Sequence, residues 1–167
     1  MSAPRRPRAA RVEIVVDIRD RRWLAASRTV RALCRRAATA ALDGSGRKPR
    51  GAVALTIALT SDAAVRRLNR DFRGKDRPTN VLSFPADSFA SAPGAPRHLG
   101  DIALALETVR REARAQDKRV ADHLAHLVVH GTLHLLGHDH EDDSGAAVME
   151  RREIRVLAGL GIADPYA

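Results

Sequence analysis

VADHLAHLVVHGTLHLLGHDH, residues 120–140, decides the fold, because this one stretch combines a helical apolar pattern with six of the chain's seven histidines. An α-helix turns about 100° per residue. Val120, Leu124, Leu127, Val128, Gly131 and Leu135 then share one face. His123, His126, His130 and His134 share the adjoining face, and Val129, Leu133 and Leu136 the far side. A helix that is apolar over most of its circumference is buried between other elements. Its histidines need partners, since an unpaired buried imidazole costs on the order of 1–3 kcal/mol.

A metal ion is the sharpest way to supply one. His130 and His134 are one turn apart, so two imidazoles at i and i+4 can chelate a single ion. His126 is two turns from His134, about 12 Å along the axis, whereas zinc–nitrogen bonds are about 2.0–2.1 Å. A straight helix cannot bring all three to one ion, so the third ligand comes from where the chain turns back. Gly137 supplies that turn, because glycine readily takes the left-handed conformation that ends a helix. Of the two histidines that follow, His140 has the reach to swing back, while His138 is its rival and is expected to face solvent. His123 and His126 are read as buried or supporting residues rather than ligands. Three histidines leave one tetrahedral position open, as in catalytic zinc sites, and an ion so held makes hydroxide available near neutrality. Hydrolysis is the implied reaction class.

Outward from this helix, RVEIVVDI (11–18) reads as a strand, followed by a helical run from about Arg21 to Leu42 that stops at Gly44. GAVALTIAL is a second strand. Ser61 or Asp62 caps a short helix through Asp71, and FRGKDRPTN is expected to be a loop broken by Gly74 and Pro78. NVLSFP and LGDIALAL are the third and fourth strands, separated by a Pro-, Ser- and Gly-rich loop. Helices are expected from about Glu107, from Val120 to Leu136, and from Asp143 to Leu160, the acidic run from Glu141 to Asp143 capping the last. The expectation is an α/β (α+β) domain at residues 11–167: a small mixed sheet of about four strands packed with about five helices, around a central buried histidine helix. Residues 1–10 read as a basic flexible arm.

The chain has 167 residues and a net charge of +9. Residues 1–50 hold 14 Lys+Arg against 4 Asp+Glu, and the remainder 15 against 16, so the excess is wholly N-terminal. Such an excess either attracts a polyanion such as RNA or DNA or simply decorates solvated helix faces, and charge alone does not choose between the two. The single cysteine, Cys34, cannot form an internal disulfide, and no apolar run approaches the roughly 20 residues of a membrane span. A cytoplasmic setting without a membrane partner is the expectation.

The histidine spacing also resembles that of metzincin proteases, in which a glutamate after the first histidine is the general base. Here that position is Gly131, which argues against peptide cleavage. Met149 is read as a core residue rather than the methionine beneath such sites.

HGTLHLLGHDH, together with DFRGKDRPTNVLSFP (71–85) and HLGDIALA (98–105), resembles the YbeY family of bacterial endoribonucleases from about Val12 to the last helix. The resemblance implies a single-strand-specific, metal-dependent endoribonuclease acting on ribosomal RNA, notably at the 3′ end of the small-subunit RNA, and in ribosome quality control. It also implies one Zn2+ ion and single-stranded RNA, ribosomal RNA and the small ribosomal subunit as partners, with DNA not expected. By position the family's ligands match His130, His134 and His140, and its important arginine matches Arg73. A guanidinium can grip a phosphate through two parallel N–H bonds, which suits a pentavalent transition state. The competing role for Arg73 is an ion pair with Asp71 or Asp76. Lys75 and Arg77 are read as general electrostatics.

No general base is legible. Asp139 is expected to orient a histidine, a common task for a carboxylate beside a ligand. Either water or the ribose 2′-hydroxyl could attack. With few aromatics, base stacking falls to Phe72, Phe84 and Phe89, and phosphate contacts should dominate binding. Two other readings stay open: an RNA- or ribosome-binding assembly factor with a structural zinc, and, against Gly131, a zinc peptidase.

Overall fold

A computed structural model describes residues 11–87, 92–139 and 141–167. The expected basic arm at 1–10, together with Phe89 and His140, lies outside these residues. The elements run β1 (Val12–Ile18), α1 (Arg22–Ala26), α2 (Val30–Gly44), β2 (Val53–Thr60), α3 (Asp62–Arg73), β3 (Val81–Pro85), β4 (Arg97–Ala105), α4 (Leu106–Ala115), α5 (Val120–Leu135) and α6 (Asp143–Gly159).

The four strands form one mixed sheet in the order β1-β2-β4-β3. β1 and β4 both run parallel to β2, while β3 is antiparallel to β4 at the edge. Parallel neighbours require crossovers, and α1–α2 supplies the first of them. Alternation along β4 sends Ile102 and Leu104 into the main core and Ala103 and Ala105 into a smaller one. The main core joins the sheet to α2 and α5 through residues such as Ile57, Ala38, Leu124 and Val128. The smaller core holds Val65 of α3 against Leu82 of β3. Helices therefore lie on both faces, and α5 sits among α2, α4, α6 and the sheet.

The expected α/β architecture is present, with one helix more than the reading allowed. The run from Arg21 to Leu42 is broken at Ser27–Thr29 into α1 and α2. Trp23 accounts for the break: it is fully buried, and its indole Nε1 donates to the Thr60 carbonyl at 2.9 Å. Satisfying that buried donor ties α1 to the end of β2.

α3 begins on Ser61, whose side chain accepts from the Ala64 amide. It is tied to α4 by a reciprocal pair: Glu107 accepts from the Asp62 amide at 2.7 Å, and Asp62 accepts from the Thr108 amide and hydroxyl at 2.9 Å each. Gly74, at φ 68°, ends it. Arg73 is thus the last helical residue and not, as expected, part of a loop.

Candidate active site

α5 lies close against the sheet at Gly131. A Cβ there would lie 3.0 Å from Ile102 Cγ2 and 3.1 Å from the Ser83 hydroxyl. The absence of a side chain lets Ser83 donate to the Gly131 carbonyl at 3.2 Å, which joins β3 to the histidine helix. The position where a metzincin carries its base is therefore a packing contact with no room for a carboxylate.

On the adjoining face the His130 and His134 rings lie 4.7 Å apart, edge to face. The His130 Nδ1 donates to Glu153 Oε1 on α6. Glu153 is fully buried, and its Oε2 accepts from the Tyr166 hydroxyl and lies 3.5 Å from His126 Nε2. Burial acts to raise this carboxyl, but the donors on His126, His130 and Tyr166 outweigh it and hold it at about 2. A charged carboxylate in this place fixes the tautomer of His130, so that ring would offer Nε2 to a metal ion. Two imidazoles one turn apart, the first oriented by a buried carboxylate, are a donor set that suits a zinc-type ion. Among the described residues no third ligand completes a cluster with them. His140, the expected third ligand, lies outside those residues.

The pair opens into a cleft of about 390 Å³. Arg73, Asn80, Ser83 and Pro85 line it as well, together with Asp139 and Glu141. Arg73 donates from Nη2 to the Ser83 carbonyl at 2.8 Å, and its guanidinium lies 5.6 Å from the centre of the Phe84 ring. The competing ion pairs do not form: Asp71 pairs with Arg70, and Asp76 with Arg66. Phe84 also meets Phe72 edge to face, centroids 5.6 Å apart, and Phe72 is 71% exposed. Lys75 and Arg77 do not line the cleft.

Three residues differ from expectation. His138 does not face solvent: it is buried, and its Nε2 donates to the Ser45 carbonyl at 2.9 Å, which ties the turn after α5 to the end of α2. The Asp139 carboxylate accepts from the Glu141 amide and bonds no histidine among the described residues, His140 lying outside them. The orienting group is Glu153, which the sequence reading missed. Its signal was present: a glutamate at helical spacing within the buried stripe Met149, Glu153, Val156, Leu157. His123 and His126 are supporting residues as expected, His126 against Glu153 and His123 with its Nε2 2.7 Å from Glu112. Burial lowers the His123 imidazole against the opposing pull of that carboxylate. Asp142 caps α6 by accepting from the Gly145 amide at 2.6 Å, and Met149 is a core residue.

The sequence matches the family model described as Endoribonuclease YbeY over residues 17–161. The chain belongs to the YbeY endoribonuclease family. A protein of that name from Paramagnetospirillum magneticum is 53% identical over 93% of this chain and 96% of its own. One from Azorhizobium caulinodans is 51% identical over 93% and 97%. The solution structure of TM1509 from Thermotoga maritima shares the fold, with a TM-score of 0.51 and 23% identity over 93% of this chain and 99% of that one. As a YbeY-family protein the chain is a hydrolase acting on RNA phosphodiester bonds. No helix among the described residues is long and apolar enough to cross a membrane.

Proposed function

We propose that the cleft between α5 and β3 is where this endoribonuclease cuts single-stranded RNA, with one zinc ion held by His130, His134 and His140. A ribosomal RNA precursor, in the setting of the small ribosomal subunit and the cytoplasm, is the substrate in this reading. The observation that carries it is the meeting of two groups in one cleft: the His130 and His134 pair, with His130 held by Glu153, and Arg73 braced by Ser83 and Phe84.

When bound, zinc supplies Lewis acidity and acidifies water. Glu153 keeps the His130 ring in one orientation, so the site needs no rearrangement as substrate enters. Arg73, anchored through one nitrogen to the Ser83 carbonyl, presents the rest of its fork to the phosphoryl oxygens as their charge grows. Phe72 offers its exposed face to a neighbouring base. Asp139 and Glu141, also in the lining, are the carboxylates available to accept a proton from the attacking group.

The test is cleavage of an end-labelled single-stranded RNA, with and without chelator, by the wild type and by His134→Ala and Arg73→Ala. Chelation and His134→Ala are expected to abolish cleavage. Arg73→Ala is expected to lower kcat by roughly 100- to 1,000-fold, as for loss of one transition-state donor. A 5′-phosphate on the product identifies water as the attacking group, and a 2′,3′-cyclic phosphate the ribose hydroxyl. Cleavage that survives chelation and both substitutions would overturn the reading.

A further inference from the structure

A second groove, of about 330 Å³, begins where the cleft ends. The two share Pro85, the last residue of β3. Arg47, Arg97 and His98 supply the polar lining of the groove, and Leu99, Leu135 and Leu136 its floor. No acidic residue among the described ones lines it, in contrast to the cleft with Asp139 and Glu141. Neither Arg47 nor Arg97 is in an ion pair among the described residues.

The backbone beneath these two arginines is fixed. Ser45 is fully buried, and its hydroxyl donates to the Leu42 carbonyl at 3.1 Å while accepting from the Arg47 amide at 3.0 Å. Its carbonyl takes the hydrogen bond from His138. Arg47 is thereby brought over Gly137, where a Cβ would lie 3.1 Å from its Nη1. Gly137 takes φ 89° in the turn that leads away from His134. Arg97 opens β4, its amide donating to the Ala52 carbonyl at 2.9 Å. Two cations with no carboxylate to neutralise them thus flank an apolar floor, against the end of a cleft that acts on a polyanion.

We propose that this groove is a binding subsite for the RNA strand next to the cut, with Arg47 and Arg97 on a flanking phosphate and the leucine floor under its base or ribose. The volume suits one nucleotide, at the small end of ordinary ligand pockets of about 300–1,000 Å³. Backbone phosphates carry affinity and register but not sequence, so the subsite holds the strand and leaves base preference to other contacts. The inference rests on placing the cut in the neighbouring cleft.

The test is steady-state cleavage of a 12-nucleotide single-stranded RNA at several salt concentrations. Wild type is compared with Arg47→Gln, Arg97→Gln, Arg47→Lys and, as an exposed arginine outside both clefts, Arg114→Gln. Each glutamine variant of the groove is expected to raise KM by roughly two- to tenfold. Each should also flatten the slope of log(1/KM) against log salt by about 0.7, the value for one phosphate contact on a single strand. Arg47→Lys keeps the charge and should keep the slope, which separates loss of charge from loss of fold. If Arg47→Gln fails to fold, Arg97→Gln decides alone. A wild-type KM and slope in the groove variants overturns the subsite, as does an equal change in Arg114→Gln or a loss that falls on kcat with KM unmoved. Arg73→Ala tests the cleft separately: an unchanged kcat there removes the reading of the cleft, while the KM effect of the groove is read on its own.

Discussion

Glu153 on α6 accepts a hydrogen bond from the Nδ1 of His130 on α5, and the same carboxylate is held by Tyr166. Removing its charge while keeping its shape should loosen the ring without emptying the space around it. Glu153→Gln is expected to lower zinc affinity by roughly 10- to 100-fold, the usual effect of losing a partner behind a metal-bound histidine. Competition against a chromophoric zinc chelator measures it. Affinity equal to wild type would mean that the carboxylate serves only to fill and satisfy the core.

His138 and His140 should respond in opposite ways. His138→Ala removes the bond to the Ser45 carbonyl and leaves a buried acceptor without its donor, at a cost of roughly 1–3 kcal/mol. A lower melting temperature with unchanged zinc stoichiometry is expected. His140→Ala should do the reverse, losing zinc with little change in the melting temperature of the metal-free protein. Metal analysis combined with thermal melts separates the two.

Gly131→Ala probes the contact between α5 and the sheet. The added methyl meets Ile102 and Ser83 at 3.0–3.2 Å, tighter than ordinary packing. Overpacking of this kind costs roughly 1–3 kcal/mol, which lowers the melting temperature of a chain this size by roughly 3–10 °C. A melt within a degree of wild type would show that the helix can move aside.

Cys34 is fully buried in the main core, and burial pushes its thiol up to about 12. Reaction with a thiol reagent at neutral pH is expected to be slow in the native protein and fast once urea unfolds it. Because the folded value is raised, the unfolded chain loses its thiol proton first. This group's contribution to stability is therefore complete below about pH 8.5 and falls as pH rises from there toward 12. Rapid labelling of the native protein at pH 7 would contradict the burial.

The sequence was most informative where one residue type repeats at one spacing. The apolar faces of α5 follow from periodicity and the turn at Gly137 from the left-handed freedom of glycine, and both are present. What escaped was set by single long-range bonds. The break between α1 and α2 depends on where the Trp23 indole finds a carbonyl, which lies 37 residues away. Gly74 reads as a breaker that puts Arg73 in a loop, whereas its left-handed conformation caps α3 and keeps Arg73 helical. His138 looked solvent-facing because nothing near it in sequence shows that Ser45, 93 residues distant, offers a carbonyl. Glu153 was legible as an anomaly in an apolar stripe, but its partner belongs to another helix.

Ser83, in the lining of the cleft, has two neighbours from different elements. Its hydroxyl reaches the Gly131 carbonyl on the histidine helix, and its own carbonyl takes the Arg73 guanidinium. The arginine and the histidines meet only once β3, the last strand at the sheet edge, has docked across 48 residues of chain. In the reading proposed above, a chain still short of that docking would carry every residue of the cleft and none of its geometry, and would stay inert toward RNA until its own folding is finished.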